Sequence, residues 1–240
     1  MRRHHRSFLI ACATLALLAA CVQGPQSTLD PAGPAAEGIA LTWWVMFGLF
    51  SAIWLLVMVL VCWALFRGRN TRALGRPTHL IVAGGLLMPL MVLTGLLVWG
   101  TATSGRVSGL DGTPRHVIDV IGRQWEWEFR YRDDEGRVRA TSDVVLHLPR
   151  GEMVEFNITS EDVIHSFWIP RLGGKRDAVP GRINTLRLRV DDDGGRPLRG
   201  QCAEFCGLEH THMIFAVEVM EPDAWRAWRD SGGMTAGGLR

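Results

Sequence analysis

Two long runs without a charged side chain limit what this chain can fold into more than any other feature. Residues 43–66 (WWVMFGLFSAIWLLVMVLVCWALF) are twenty-four consecutive uncharged residues, and residues 80–99 (LIVAGGLLMPLMVLTGLLVW) add twenty more. A bilayer core takes about 20 apolar residues as a helix, and a lone span must be helical because nothing else there satisfies its backbone amides. The second run holds Gly84, Gly85 and Pro89, as a buried globular helix could, but its length and lack of charge favour the membrane. Arg67, Arg69, Arg72 and Arg76 lie between the runs, whereas residues 21–42 have no Lys or Arg. That asymmetry puts the short loop on the cytoplasmic side and both termini outside. Residues 43–99 are therefore expected to form a transmembrane helical hairpin.

The start of the chain reads as a targeting segment. Arg2, Arg3 and Arg6 precede an apolar stretch over residues 8–18, and the run Leu18-Ala19-Ala20-Cys21 closes it. This pattern fits a lipoprotein-type signal peptide over residues 1–20, with Cys21 as the lipid-bearing first mature residue. An ordinary signal or a retained anchor, with Cys21 there by chance, is the alternative. Residues 21–42, rich in Pro, Gly and Ala, read as an extended extracytoplasmic tether. The formal net charge is +2, and from residue 101 onward 19 Lys and Arg face 22 Asp and Glu. So even a balance gives no basis for a nucleic-acid partner.

Past residue 99 the period changes from helix to strand. Trp125, Trp127, Phe129 and Tyr131 alternate with Glu126, Glu128, Arg130 and Arg132, the two-residue period of a half-buried strand. Further strands are expected at residues 116–121, 144–148, 153–159, 183–190 and 214–220. Turn signals separate them: DDEG, LPRGE, VPGR and DDDGG. Short strands at such spacing predict a β-sandwich or Greek-key barrel over residues 100–232. A short helix at residues 222–230 and a flexible tail at 233–240 complete it.

The chemistry concentrates in QCAEFCGLEHTHM, residues 201–213. Cys202 and Cys206 are the two cysteines of an exported domain, so a disulfide is one reading. With His210 and His212 they could also make a tetrahedral zinc site. Neither reading uses Met213. A thioether beside thiolate and imidazole is the ligand set of electron-transfer copper. Two thiolates four residues apart on one loop can bridge two copper ions, each of which then needs an imidazole. His210 can supply one. Among His116, His147, His165 and His212, spacing favours His165 for the other, because it sits where a strand meets the Pro-ended turn of DVIHSFWIP.

In that order, DVIHSFWIP, GGKRDAVPGR and GQCAEFCGLEHTHM resemble subunit II of haem-copper oxidases that take electrons from cytochrome c. The resemblance runs from about residue 43 to 228 and implies two helices followed by a cupredoxin-like Greek-key barrel. It implies that Cys202 and Cys206 bridge the two coppers of a CuA centre. His165 and Met213 would complete one copper, and His210 with the Glu204 backbone carbonyl the other. His212 is then no ligand. The Glu204 side chain would bind magnesium or manganese at the boundary with subunit I. Trp125, in IGRQWEWEF, would receive the electron from cytochrome c. The partners implied are cytochrome c, subunits I and III and the lipid bilayer of a bacterial cell membrane, with the copper domain on the periplasmic side.

Two departures from the family stand out. An aromatic usually lies between the two tryptophans, where this chain has Glu126. A glutamate often precedes the proline of the second helix by seven residues, where this chain has Val82, with His79 the nearest titratable group. No C-x-x-C-H motif follows Met213, so a fused cytochrome c domain is not expected. The rival readings are a quinol-oxidase-type subunit II, the electron-input subunit of a CuA nitric oxide reductase, and a membrane-tethered copper carrier. The fragment from about residue 105 to 240 is expected to fold alone as a soluble two-copper protein.

Overall fold

The computed structural model describes residues 24–66, 77–108 and 112–233. The expected signal, the lipid site at Cys21, the arginine loop and the tail beyond residue 233 lie outside them. The chain divides into a helical unit, Ala40–Gly105, and a second unit made of Met1–Ile39 with Arg106–Arg240.

Helix α1 spans Pro34–Phe66, with proline at its start, where a missing N–H costs nothing. At 33 residues it is about 50 Å long, more than the ~30 Å core of a bilayer. The second apolar run forms α2 (Pro77–Val82), a π-turn (Ala83–Leu87) and α3 (Met88–Ser108). The π-turn has a local cause. Pro89 has no N–H to donate to the Gly85 carbonyl and would crowd it. One residue earlier, the Met88 N–H reaches back to the Ala83 carbonyl, widening the helix ahead of the proline. Both helices are long and apolar enough to cross a membrane, and their most apolar windows are not buried within the protein. They share an apolar groove lined by Val45, Leu49, Met91, Gly95 and Trp99.

The second unit is a sandwich of two five-stranded sheets. One is ordered β3 (Val138–Ser142), β2 (Glu126–Arg132), β1 (His116–Arg123), β5 (Val154–Ser160), β8 (Asn184–Leu188). The other runs β4 (Val145–Pro149), β10 (Ile214–Met220), β9 (Leu198–Cys202), β6 (His165–Trp168), β7 (Arg176–Ala178). Pairings are antiparallel except β1 with β5 and β4 with β10. Alternation buries Trp127, Phe129 and Tyr131 from β2, while Phe167 and Phe215 stack 5.2 Å apart from the facing sheet. Gly200 makes room for that pair, since a Cβ there would fall 1.9 Å from Phe215. Helix α4 (Pro222–Asp230) buries Trp225 and Trp228 against Tyr131 and His147. His147 is thus a packing histidine, buried and stacked 4.1 Å from Trp228.

Two expectations are corrected. Trp125 is not in the strand: β2 begins at Glu126, and Gln124 and Trp125 form the turn from β1. Nor are residues 24–42 an extended tether. From Pro34 they are helical, and the stretch before it lies on the sandwich. The Ala32 N–H donates to the Arg171 carbonyl at 2.8 Å, and Asp191 N–H to the Ala32 carbonyl at 2.9 Å. Gly33 is pressed so closely on β8's exit that a Cβ would sit 2.1 Å from the Arg189 carbonyl oxygen. The charge anchor is Asp30, 3.2 Å from the fully buried Arg171 and 2.6 Å from Arg196. Composition suggested an extended tether and carried no sign of these contacts.

Candidate metal centre

β6 delivers His165 and the end of β9 delivers Cys202, strands that pair at Phe167–Cys202 and Trp168–Gln201. The loop after β9 then carries Glu204, Cys206 and His210, and Met213 precedes β10. The thiols of Cys202 and Cys206 are free, with Sγ atoms 3.7 Å apart. His165 Nδ1 lies 3.8 Å from Cys202 Sγ, and His210 Nδ1 lies 3.5 Å from Cys206 Sγ. Met213 Sδ is 3.8 Å from Cys206 Sγ, and the Glu204 carbonyl oxygen is 3.2 Å from Cys202 Sγ. Sequence distance is spanned by the sheet, which brings His165 to residues 37 positions later. His165, Cys202 and Cys206 form a buried cluster whose ligand atoms all lie within 4.8 Å of one another.

Each position has a local reason. Gly122 lies under the His165 ring, where a Cβ would come within 2.9 Å of Cδ2. Gly207 turns the loop at φ 124°, a conformation suited to glycine, directly after Cys206. His212 points away: it is exposed and pairs with Glu209 at 2.7 Å. The Glu204 carboxylate is also exposed and sits 3.3 Å from Lys175 Nζ.

The electrostatics separate the two thiols. Burial opposes ionisation of Cys202, but hydrogen bonds with His165, the Glu204 and Ser166 backbone and Cys206 lower its pKa to about 6. Burial and the neighbouring Cys202 push Cys206 up to about 12. Of the two thiols, Cys202 is therefore the more readily ionised. Burial disfavours charging the His165 imidazole, yet its bonds to Cys202 and Asp162 outweigh this and raise its pKa. Metal ligation would hold both buried sulfurs as thiolates. Two imidazoles, a thioether and a carbonyl stand around them, so the donor set would fit two soft metal ions. Zinc would leave the buried Met213 thioether without a role.

Sequence reading missed the groups that hold these ligands. Asp162 Oδ1 lies 2.8 Å from His165 Nε2, and its Oδ2 accepts the Gln124 N–H at 2.7 Å. Gln124 Nε2 donates to the Cys206 carbonyl at 2.7 Å, and Trp125 Nε1 lies 3.3 Å from the same oxygen. Trp125 is thus half-buried against the backbone of a predicted ligand. The Asp–His spacing in DVIH was the one available signal.

Residues 134–220 match the family "Cytochrome C oxidase subunit II, periplasmic domain". The chain is 30% identical over 211 residues to heme-copper oxidase subunit 2 of Aeropyrum pernix, covering 79% of this chain and 89% of that one. It is 42% identical over 119 residues to cytochrome c oxidase subunit 2 of Alkalihalophilus pseudofirmus, covering 50% of this chain but 32% of that relative. Among solved structures, the periplasmic domain of subunit II of cytochrome oxidase from Bradyrhizobium japonicum aligns with a TM-score of 0.45 and 28% identity. That alignment covers 50% of this chain and 95% of that one.

Proposed function

The chain belongs to the haem-copper oxidase subunit II family, and on that premise we propose that it is the electron-accepting subunit of a respiratory cytochrome c oxidase. In this reading it takes electrons from cytochrome c and passes them to haem in subunit I, where oxygen is reduced to water and protons are translocated. The observation that carries it is the convergence of three side chains, His165, His210 and Met213, and the Glu204 carbonyl on the Cys202 and Cys206 sulfurs, 3.7 Å apart. His165, Cys202, Cys206, His210, Met213 and the Glu204 carbonyl hold the two coppers. When bound, such a centre supplies one-electron chemistry with the charge spread over both metals. The chain's own part is to hold those donors on a packed sandwich, so that a change of charge moves them little. Glu204 offers one carboxylate toward a magnesium or manganese ion, whose remaining ligands come from subunit I. The two apolar helices anchor the chain in a bacterial cell membrane, with the β unit on the outer side and Cys21 as a lipid site.

Trp125 is the side chain placed to receive the electron, because it is half-buried and its indole N–H meets the Cys206 carbonyl. The charges around it are spent on one another. Arg123 bonds Glu128 at 2.5 Å and Glu161 at 2.6 Å, and Arg130 also bonds Glu128, whereas Asp133, Arg137 and Arg139 pair among themselves at the far end of β2. Paired charges leave little field beyond a Debye length of about 10 Å at 0.1 M salt. The test is stopped-flow reduction of the purified oxidase complex by reduced cytochrome c. Trp125→Gln should slow it by orders of magnitude with the copper spectrum intact. Raising salt from about 20 to about 200 mM should slow it only a few-fold, below the roughly 10- to 1000-fold range of strong steering. A steep salt dependence with a mild Trp125→Gln effect would refute this assignment.

A further inference from the structure

We infer that Asp162 is a positioning residue that ties the Gln124–Trp125 turn and the His165 ring to the two oxygens of one carboxylate. The inference rests on the electron-transfer reading above. Oδ2 accepts the Gln124 backbone N–H at 2.7 Å. Oδ1 lies 2.8 Å from His165 Nε2 and accepts the Val163 N–H at 2.6 Å, with Ser160 Oγ at 3.2 Å. The His165 side chain is fully buried, whereas that of Asp162 is 33% exposed, so this carboxylate is where a buried ligand meets the surface turn.

The consequence for His165 is chemical. For Nδ1 to face the Cys202 sulfur with a free lone pair, the proton must sit on Nε2. A carboxylate on Nε2 fixes that tautomer and the plane of the ring. The consequence for Trp125 is mechanical. Its turn cannot shift against His165 without breaking a hydrogen bond to a charged acceptor, one of the stronger kinds. The far side of the same turn is fastened to the second sulfur ligand, through Gln124 Nε2 and the Cys206 carbonyl. Trp125 and the ligands are therefore held as one body. Where rate depends on geometry, a misplacement of about 1 Å can cost on the order of a hundredfold. An amide cannot replace the carboxylate, because its single oxygen cannot serve the Gln124 and His165 N–H groups at separate positions.

The first arm of the test is hydrogen–deuterium exchange of the metal-free full chain in detergent. Asp162→Ala should speed exchange of the Gln124 amide by roughly tenfold or more. Gln124→Ala keeps the backbone N–H and its acceptor, so that amide should stay protected. The second arm uses the copper-loaded chain. Asp162→Ala and Asp162→Asn should change the nitrogen hyperfine coupling of His165 and leave that of His210 unchanged. Donor-to-copper transfer at saturating donor should fall by about 10- to 100-fold in Asp162→Ala, and less in Asp162→Asn, which keeps the size of the side chain. If Asp162→Ala does not fold, Asp162→Asn decides both arms. Unchanged exchange at Gln124 with an unchanged His165 coupling would overturn the inference. So would a loss of transfer that vanishes at saturating donor, since that marks a docking charge. A wild-type chain that binds no copper pair would defeat the functional reading, and the exchange arm would still decide the brace.

Discussion

Gly122 and His165 are in direct contact across β1 and β6: a Cβ on residue 122 would stand 2.9 Å from Cδ2 of the imidazole and 3.1 Å from Cγ. The ring is fully buried, so it has no free direction in which to yield. Gly122→Ala should therefore cost about 1–3 kcal/mol as overpacking and tilt the ring from its place beside Cys202. Copper titration against a competing chelator should show an affinity loss of about 10- to 100-fold, the scale for disturbed ligand support. Wild-type stability and affinity in this variant would mean that the contact is soft.

The strap over residues 24–33 belongs to the β unit in energy as well as in space. Arg171 is fully buried and meets the Asp30 carboxylate at 3.2 Å and the Asp30 carbonyl at 2.7 Å. Removing one partner of a buried pair leaves an uncompensated charge and typically costs about 3–5 kcal/mol. Carbonyl partners of Arg171 remain, so Asp30→Ala should fall at the lower end of that range in urea unfolding. A fragment starting near residue 105 lacks the strap entirely. It should unfold at lower urea than a version with residues 24–33 supplied. Equal midpoints would show that the strap is only a passenger.

Tyr131 should contribute to the alkaline limit of the fold. Burial pushes its phenol up to about 12, against the opposing hydrogen bonds of the His147 backbone and Ser142. The folded state thus keeps the proton that the unfolded chain loses near pH 10. This contribution to stability is complete below about pH 10 and is lost as pH rises toward 12. A shift of two units corresponds to about 3 kcal/mol. Tyr131→Phe should flatten that alkaline limb. It should also start about 1–3 kcal/mol lower, because the buried His147 N–H loses its 2.9 Å acceptor. An equally steep limb in Tyr131→Phe would assign the alkaline transition to another group.

What was legible in the sequence followed from period and local chemistry. The uncharged runs, the alternation through β2, the segment Ile214–Met220 and the helix Pro222–Asp230 could all be read from neighbouring residues. β3, β7 and β9 could not. β3 is a mostly exposed edge strand, β7 has three residues, and β9 is interrupted by a glycine whose purpose is the Phe215 ring opposite. The loop ligands declared themselves by residue type, whereas choosing His165 from the sequence leaned on resemblance, because its nearness to Cys202 arises from β6–β9 pairing. Gln124 and Gly122 act through contacts between segments distant in sequence, of which residue type carries no trace, and Asp162 showed only in the Asp–His spacing of DVIH.

Copper binding at Cys202 and Cys206 can be read from electron paramagnetic resonance of the copper-loaded full chain, with metal content measured on the same sample. Two coppers per chain are expected, with one unpaired electron shared over both nuclei and the signal lost in Cys202→Ser and in Cys206→Ser. A single-copper spectrum, or one zinc and no copper after loading with both metals, would contradict that expectation.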